Sequence, residues 1–111
     1  KILKMKIHNI NDMVKGWFIG NFDPAVLKTD KFEVGYHTHK KGDVTVNHYH
    51  KLSTEINVII TGSMKVNNKM LKKGDIFVFD PYTVSDGEFL TDTELIVVRD
   101  ASYTSDKYKA D

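Results

Sequence analysis

The sequence predicts an all-β fold, a sandwich or barrel of short strands. Runs rich in Val, Ile, Phe and Tyr recur along the chain with turn residues between them, and helical periodicity is nearly absent. At 111 residues, 41% hydrophobic and 28% charged, the chain fits one domain able to close a single core.

The elements follow in order. VKGWFIG (14–20) is the first strand, and Trp17, Phe18 and Phe22 around it read as packing aromatics. NFDPAVLKTD (21–30) contains Pro24 and reads as a loop with at most one helical turn. FEVGYHTH (32–39) and DVTVNHYH (43–50) are strands on either side of a turn at Gly42-Asp43, and TEINVIIT (54–61) is a strongly apolar strand closed by Thr61-Gly62. SMKV (63–66) and KML (69–71) flank Asn67-Asn68, two residues that tolerate φ > 0 and suit a two-residue hairpin. DIFVFD (75–80) begins at the Gly74-Asp75 turn and ends near Pro81, which has no N–H for a ladder. SDGEFL (85–90) and TELIVVRD (93–100) complete the strands. The polar residues after them read as a tail that covers the surface or frays.

Charge and composition exclude several function classes. Sixteen basic side chains against 15 acidic ones, with no long block of either sign, argue against a nucleic-acid partner. Lys40-Lys41 and Lys72-Lys73 each precede Gly-Asp and read as solvated turn flanks. The chain has no cysteine, so a disulfide framework, thiolate ligands and a cysteine nucleophile are all excluded. Any metal must then rest on His, Asp or Glu. No apolar run approaches the roughly 18–20 residues that span a bilayer, so we expect no membrane role and a cytoplasmic location.

Four of the five histidines fall in YHTHKKGDVTVNHYH (36–50), as two His-x-His pairs. On a strand, residues i and i+2 share a face about 6.5–7 Å apart, so both rings of a pair can turn toward one ion. Val44 and Val46 share the parity of His48 and His50, so this face reads as running from a core into a site. Glu55 opens the apolar strand 54–61, where a bare carboxylate is costly to bury and a metal would remove the cost. Two imidazoles and a carboxylate leave coordination positions open, as in a catalytic or ligand-binding centre. From spacing alone, the alternative is two surface histidines and a solvated strand start.

At these positions the chain resembles the cupins. Their first motif is Gly, five residues, His-x-His, three or four residues, Glu, six residues, Gly; this chain has Gly42, DVTVN, His48-Tyr49-His50, KLST, Glu55, INVIIT and Gly62. The resemblance implies a double-stranded β-helix, a jelly-roll barrel, with His48, His50 and Glu55 holding a divalent metal such as Zn, Fe(II), Mn or Ni inside it. Across 1–111 it implies a single domain: an N-terminal strand region (1–31), the motif-bearing barrel (about 32–100) and the polar tail (101–111). The second cupin motif is degenerate. Gly74 and DIFVF fit, but Asp80, Tyr82, Ser85 and Phe89 stand where the motif has Pro, Gly, His and Asn. With Ser85 in place of the fourth ligand, Asp86 is the candidate for that position, and its alternative role is to stabilise the turn before Gly87.

His37 and His39 have no carboxylate at matching spacing. If KKGD closes a hairpin, they lie opposite Val46 and Val44 and face the metal histidines; if the connection crosses between sheets, no register follows. They are candidates for pocket lining and acid–base work, with exposed strand histidines as the alternative. Tyr36 and Tyr82 are candidates to contact a ligand hydroxyl, Tyr49 packs, and His8 is a surface residue. The expected function is that of a divalent-metal cupin acting on a small oxygen-rich molecule (a sugar, sugar acid or carboxylate) by isomerase, epimerase, lyase or dioxygenase chemistry. The alternative is a non-catalytic module that binds or senses a small ligand. Open strand edges and a surplus of apolar strands make a homodimer the expected assembly.

Overall fold

Eleven strands build the fold in a computed structural model that describes residues 3–103 and 105–110. They are β1 (Trp17–Gly20), β2 (Leu27–Lys28), β3 (Glu33–His39), β4 (His48–Tyr49), β5 (Glu55–Thr61), β6 (Ser63–Val66), β7 (Lys69–Lys72), β8 (Ile76–Phe79), β9 (Gly87–Phe89), β10 (Thr93–Arg99) and β11 (Tyr108–Lys109). A 3-10 turn at Ile10–Asp12, capped by the Asn9 side chain, precedes them. Among the described residues no helix is long and apolar enough to cross a membrane.

One sheet runs β2-β1-β3-β10-β5-β8. The facing wall is made of β7-β6-β9, continued by residues 42–48, which pair with 85–89 through Gly42 N to Phe89 O, Thr45 N to Gly87 O and Ser85 N to His48 O. Beyond them β4 pairs with β11. The run 43–50, expected as one strand, is thus regular only at its end. Val44 and Val46 line the cavity between the walls at 72% and 63% exposure, so they form its rim and not the core.

The turn at Gly42 does not fold this run back on β3. Both edges of β3 are taken, by β1 and by β10, so the chain crosses to the other wall. Two short strands arise where none was expected: β2 pairs parallel to β1 inside the presumed loop, and β11 rises from the presumed tail. The Asn67-Asn68 hairpin forms as read, with φ of 46° and 66°.

Alternation decides what lies inside. The inward positions Ile59, Phe79, Leu95 and Val97 of the large sheet meet Met64, Val66 and Phe89 of the facing wall in one buried cluster. Toward the other end of β3, β10 and β5 the inward positions become Asn57, Glu55, Arg99 and Glu33, whereas His37 lies level with Leu95 and Ile59 and Phe79 lies opposite Glu55, so the polar groups border the apolar cluster directly.

Two glycines of the first motif sit at left-handed turns that differ in their surroundings. Gly42 has φ +91° and open space where a Cβ would go; Gly62 has φ +95°, and its Cβ would lie 2.4 Å from the Asp92 carbonyl oxygen. Gly42→Ala should therefore cost only the left-handed strain, about 1–2 kcal/mol. Gly62→Ala should cost clearly more, because backbone must also move. Urea unfolding of the two variants checks this, and equal losses would contradict it.

Candidate metal centre

The end of β4 and the start of β5 bring His48, His50 and Glu55 together, with one ligand atom from each lying within 4.8 Å of the others. His48 pairs with Ser85 within the facing wall, and His50 follows β4 on the same side of the chain. The His48 Nδ1–H donates to the Val46 carbonyl at 2.7 Å, and the His50 Nδ1–H donates to the Asp106 carbonyl. A carbonyl only accepts, so each ring carries its proton on Nδ1 and leaves Nε2 as a bare lone pair. The His50 Nε2 is buried without a hydrogen-bond partner, 3.4 Å from Glu55 Oε1. A ring nitrogen facing a carboxylate oxygen is satisfied by a cation between them, a second ring proton in the metal-free chain or a metal in its place, so the residues present also fit a divalent metal.

Sequence reasoning missed Arg99, the last residue of β10. In register it stands between Glu33 of β3 and Glu55 of β5, both buried. Its Nε and Nη2 donate to Glu55 Oε1 at 3.2 and 3.1 Å, and its Nη1 donates to Glu33 Oε2 at 3.3 Å. The guanidinium lies over Trp17, its carbon 4.9 Å from the ring centre. The Asn57 amide donates to the other oxygen of Glu55. Burial pushes the Glu55 carboxyl up, but the neighbouring His50 ring, the Arg99 guanidinium and the Asn57 amide outweigh it and hold the group at about 2. Glu33 has only part of this support, and burial raises it. The expectation that Glu55 would be an unpaired carboxylate without a metal is thus corrected: Arg99 already offsets its burial.

The centre opens into a cavity of about 300 Å³ whose wall includes His37, His39, Asn57, Ser85, Arg99 and Lys107. His37 and His39 therefore face inward, although the connection after them crosses between sheets. The His37 ring meets the edge of Trp17, its Nε2 is buried without a partner, and burial together with the neighbouring His39 lowers it to about 4. His39 stacks on Phe89 at 4.0 Å, and burial lowers it too. Both rings are neutral near pH 7.

The remaining candidates lie elsewhere. The Tyr36 hydroxyl donates to Glu94 on the outer face of β3. Tyr82 is exposed and stacks on Tyr49, which in turn stacks on Tyr108. Ser85 does reach the cavity, opposite His48, as its place in the degenerate motif requires. Asp86 also borders the cavity, but its Oδ1 accepts from Asn67 N, its N–H donates to the Asn67 side chain, and it stands outside the three-residue cluster. These bonds tie Asp86 to the Asn67-Asn68 hairpin. His8 is exposed.

Replacing Arg99 tests the charge arrangement. Arg99→Met keeps much of the stem but leaves two buried carboxylates facing each other, and it should lower stability at pH 7 by about 3–5 kcal/mol. The wild-type contribution of Glu55 is complete above about pH 4.5 and is lost as pH falls toward about 2. The gap between the two proteins should therefore narrow over that range, because the stranded carboxylates of the variant have taken up protons at higher pH while the wild type is still losing its contribution. Urea midpoints that coincide at pH 7 would refute this role.

No protein-family model matches the chain, and no curated protein matches it. Solved structures do. An uncharacterised conserved protein with a double-stranded β-helix domain from Klebsiella pneumoniae is 18% identical over 97% of this chain and 98% of its own, with a TM-score of 0.70. An RmlC-like cupin from Shewanella frigidimarina is 20% identical over 68% of this chain and 71% of its own, TM-score 0.64. KdgF from Halomonas sp. is 21% identical over 68% and 74%, TM-score 0.64. Two facing walls, a first motif with its glycines at the turns and these structural likenesses agree: the chain has the cupin fold, an RmlC-like double-stranded β-helix.

Proposed function

We propose that this cupin binds one divalent metal through His48 Nε2, His50 Nε2 and a Glu55 oxygen, and acts on a small oxygen-rich anion. The observation that carries the reading is the buried, unpartnered Nε2 of His50 beside Glu55, in a cluster that opens onto a cavity. When bound, the metal (Zn, Fe(II), Mn or Ni) supplies Lewis-acid polarisation of a substrate oxygen. The chain's own residues do the rest. Lys107 adds positive charge to the cavity wall, Asn57 and Ser85 offer polar groups, and the neutral rings of His37 and His39 accept or return a proton opposite the metal side. A carboxylate or sugar acid fits this arrangement, and isomerase, epimerase, lyase or dioxygenase chemistry uses it.

Metal analysis of the protein purified without added ions should give close to one divalent ion per chain, and His48→Ala/His50→Ala should carry almost none. Equal metal in both would sink the reading. Turnover across a panel of sugar acids and keto acids then separates catalyst from binder. His39→Gln and His37→Gln should keep the metal and lose turnover by about 100-fold or more. Metal-supported binding without turnover in the wild type would assign a binding or sensing module instead.

We propose in addition that this domain forms a homodimer and works in the cytoplasm. Leu3, Met5 and Ile7 alternate with Lys4, Lys6 and His8 in an extended arm that is exposed on both faces. The edge strand β8 presents Ile76 and Val78, and beside it β5 presents Ile56 and Ile60, on one outer face of the sheet. An alternating arm and an apolar sheet edge flanked by Asp75 and Asp80 are complementary in shape and charge. Light scattering should give twice the chain mass at micromolar concentration, and deletion of residues 3–8 should weaken the association.

A further inference from the structure

The C-terminal segment does more than cover the surface. β11 pairs with β4 in the register Tyr108↔Tyr49 and Lys109↔His48, and Lys107 lines the cavity. Just before these residues, Asp106 is buried at 7% exposure. Its Oδ1 accepts from Lys51 N at 2.8 Å and Leu52 N at 3.2 Å; its Oδ2 accepts from Leu52 N at 3.1 Å, Ser53 N at 2.9 Å and Ser53 Oγ at 3.0 Å. Its backbone carbonyl accepts from His50 Nδ1.

These donors share one place in the chain. Lys51, Leu52 and Ser53 are part of the short link between His50 and Glu55, so one residue holds both the second ligand ring and the turn that separates it from the third ligand. The carboxylate has only neutral donors around it, all converging from one turn, which is how backbone N–H groups hold an anion. A loop of consecutive polar groups is otherwise free to move, and each ångström of movement changes the spacing of His50 and Glu55.

We propose that Asp106 is a positioning residue for the metal centre, fixing the tautomer and orientation of His50 and the path of residues 51–53. The inference rests on the metal reading for its consequence, although the anchoring itself does not. Asparagine at this position keeps the backbone carbonyl but turns an NH2 group toward N–H donors, so the turn loosens while the fold's inner strands are untouched.

The test uses the full chain, with Zn(II) as the probe and nitrogen-15 NMR of the histidine rings as a readout that needs no turnover. In the metal-free wild type, His50 should be the Nδ1–H tautomer. Asp106→Asn should show a mixture of tautomers and bind Zn(II) about 10–100-fold more weakly. Ser53→Ala, which removes one donor and leaves the carboxylate, should shift both readouts less and in the same direction. A folded Asp106→Asn protein with wild-type tautomer and wild-type affinity would overturn the proposal. Should that variant not fold, an unchanged Ser53→Ala would overturn it. If the wild type binds no divalent ion, the metal reading fails, while the tautomer comparison alone still decides whether Asp106 positions the ring.

Discussion

One side chain, Arg99, ties the three central strands together where the barrel turns from apolar to polar. Glu33 and Glu55 sit directly across from it on the neighbouring strands, so the guanidinium reads the register of β3, β10 and β5 at once. A slip of one residue on either side would point a carboxylate to the wrong face and strand the cation. The pair of buried acids is tolerable only because the charge between them is fixed, and Arg suits this place better than Lys because its planar donors reach both partners together. The metal cluster borrows this arrangement, since the Glu55 oxygen that Arg99 holds is the one facing His50.

Two chemistries therefore meet across one small space. On one side His48, His50 and Glu55 present lone pairs and charge; on the other His37 and His39 present neutral rings packed against Trp17 and Phe89. Burial creates that difference. The rings beside aromatic groups lose water and with it the charged form, whereas Glu55 keeps its charge because strong donors replace the water it lost. A site with fixed charge at one wall and uncharged proton carriers at the other is suited to polarise a bound oxygen while a proton moves nearby.

Much of this was legible in the sequence because it depends on local rules. Alternation placed β3, β5, β8 and β10 within a residue or two, and the paired asparagines named their hairpin because few residues accept two positive φ values in succession. The first motif brought His48, His50 and Glu55 together because strand parity and a short link are enough to do so. What could not be read depends on pairing between distant segments. Arg99 looked like the end of an apolar strand until β3 and β5 were its neighbours, and its partners lie 66 and 44 positions away. Asp106 sits in a segment of tail-like composition; nothing local says that a turn 53 positions earlier will point its N–H groups at it. Tyr36 and Tyr82 were candidates because a hydroxyl near the motif has chemical promise, but the Tyr36 hydroxyl is taken by Glu94 and Tyr82 sits exposed at a left-handed turn.

The place of β10 in the sheet bears on how the protein is made. It is central in space but late in sequence, so β3 and β5 leave the ribosome long before the strand that joins them. Until Arg99 is synthesised, Glu33 and Glu55 have no counter-charge, and the two older strands have no shared neighbour to set their register. Assembly of the large sheet consequently waits for β10 and depends on contacts between remote parts of the chain, the kind of topology that folds slowly. Shape and chemistry are then completed in one step, and a nascent chain released before β10 would have neither.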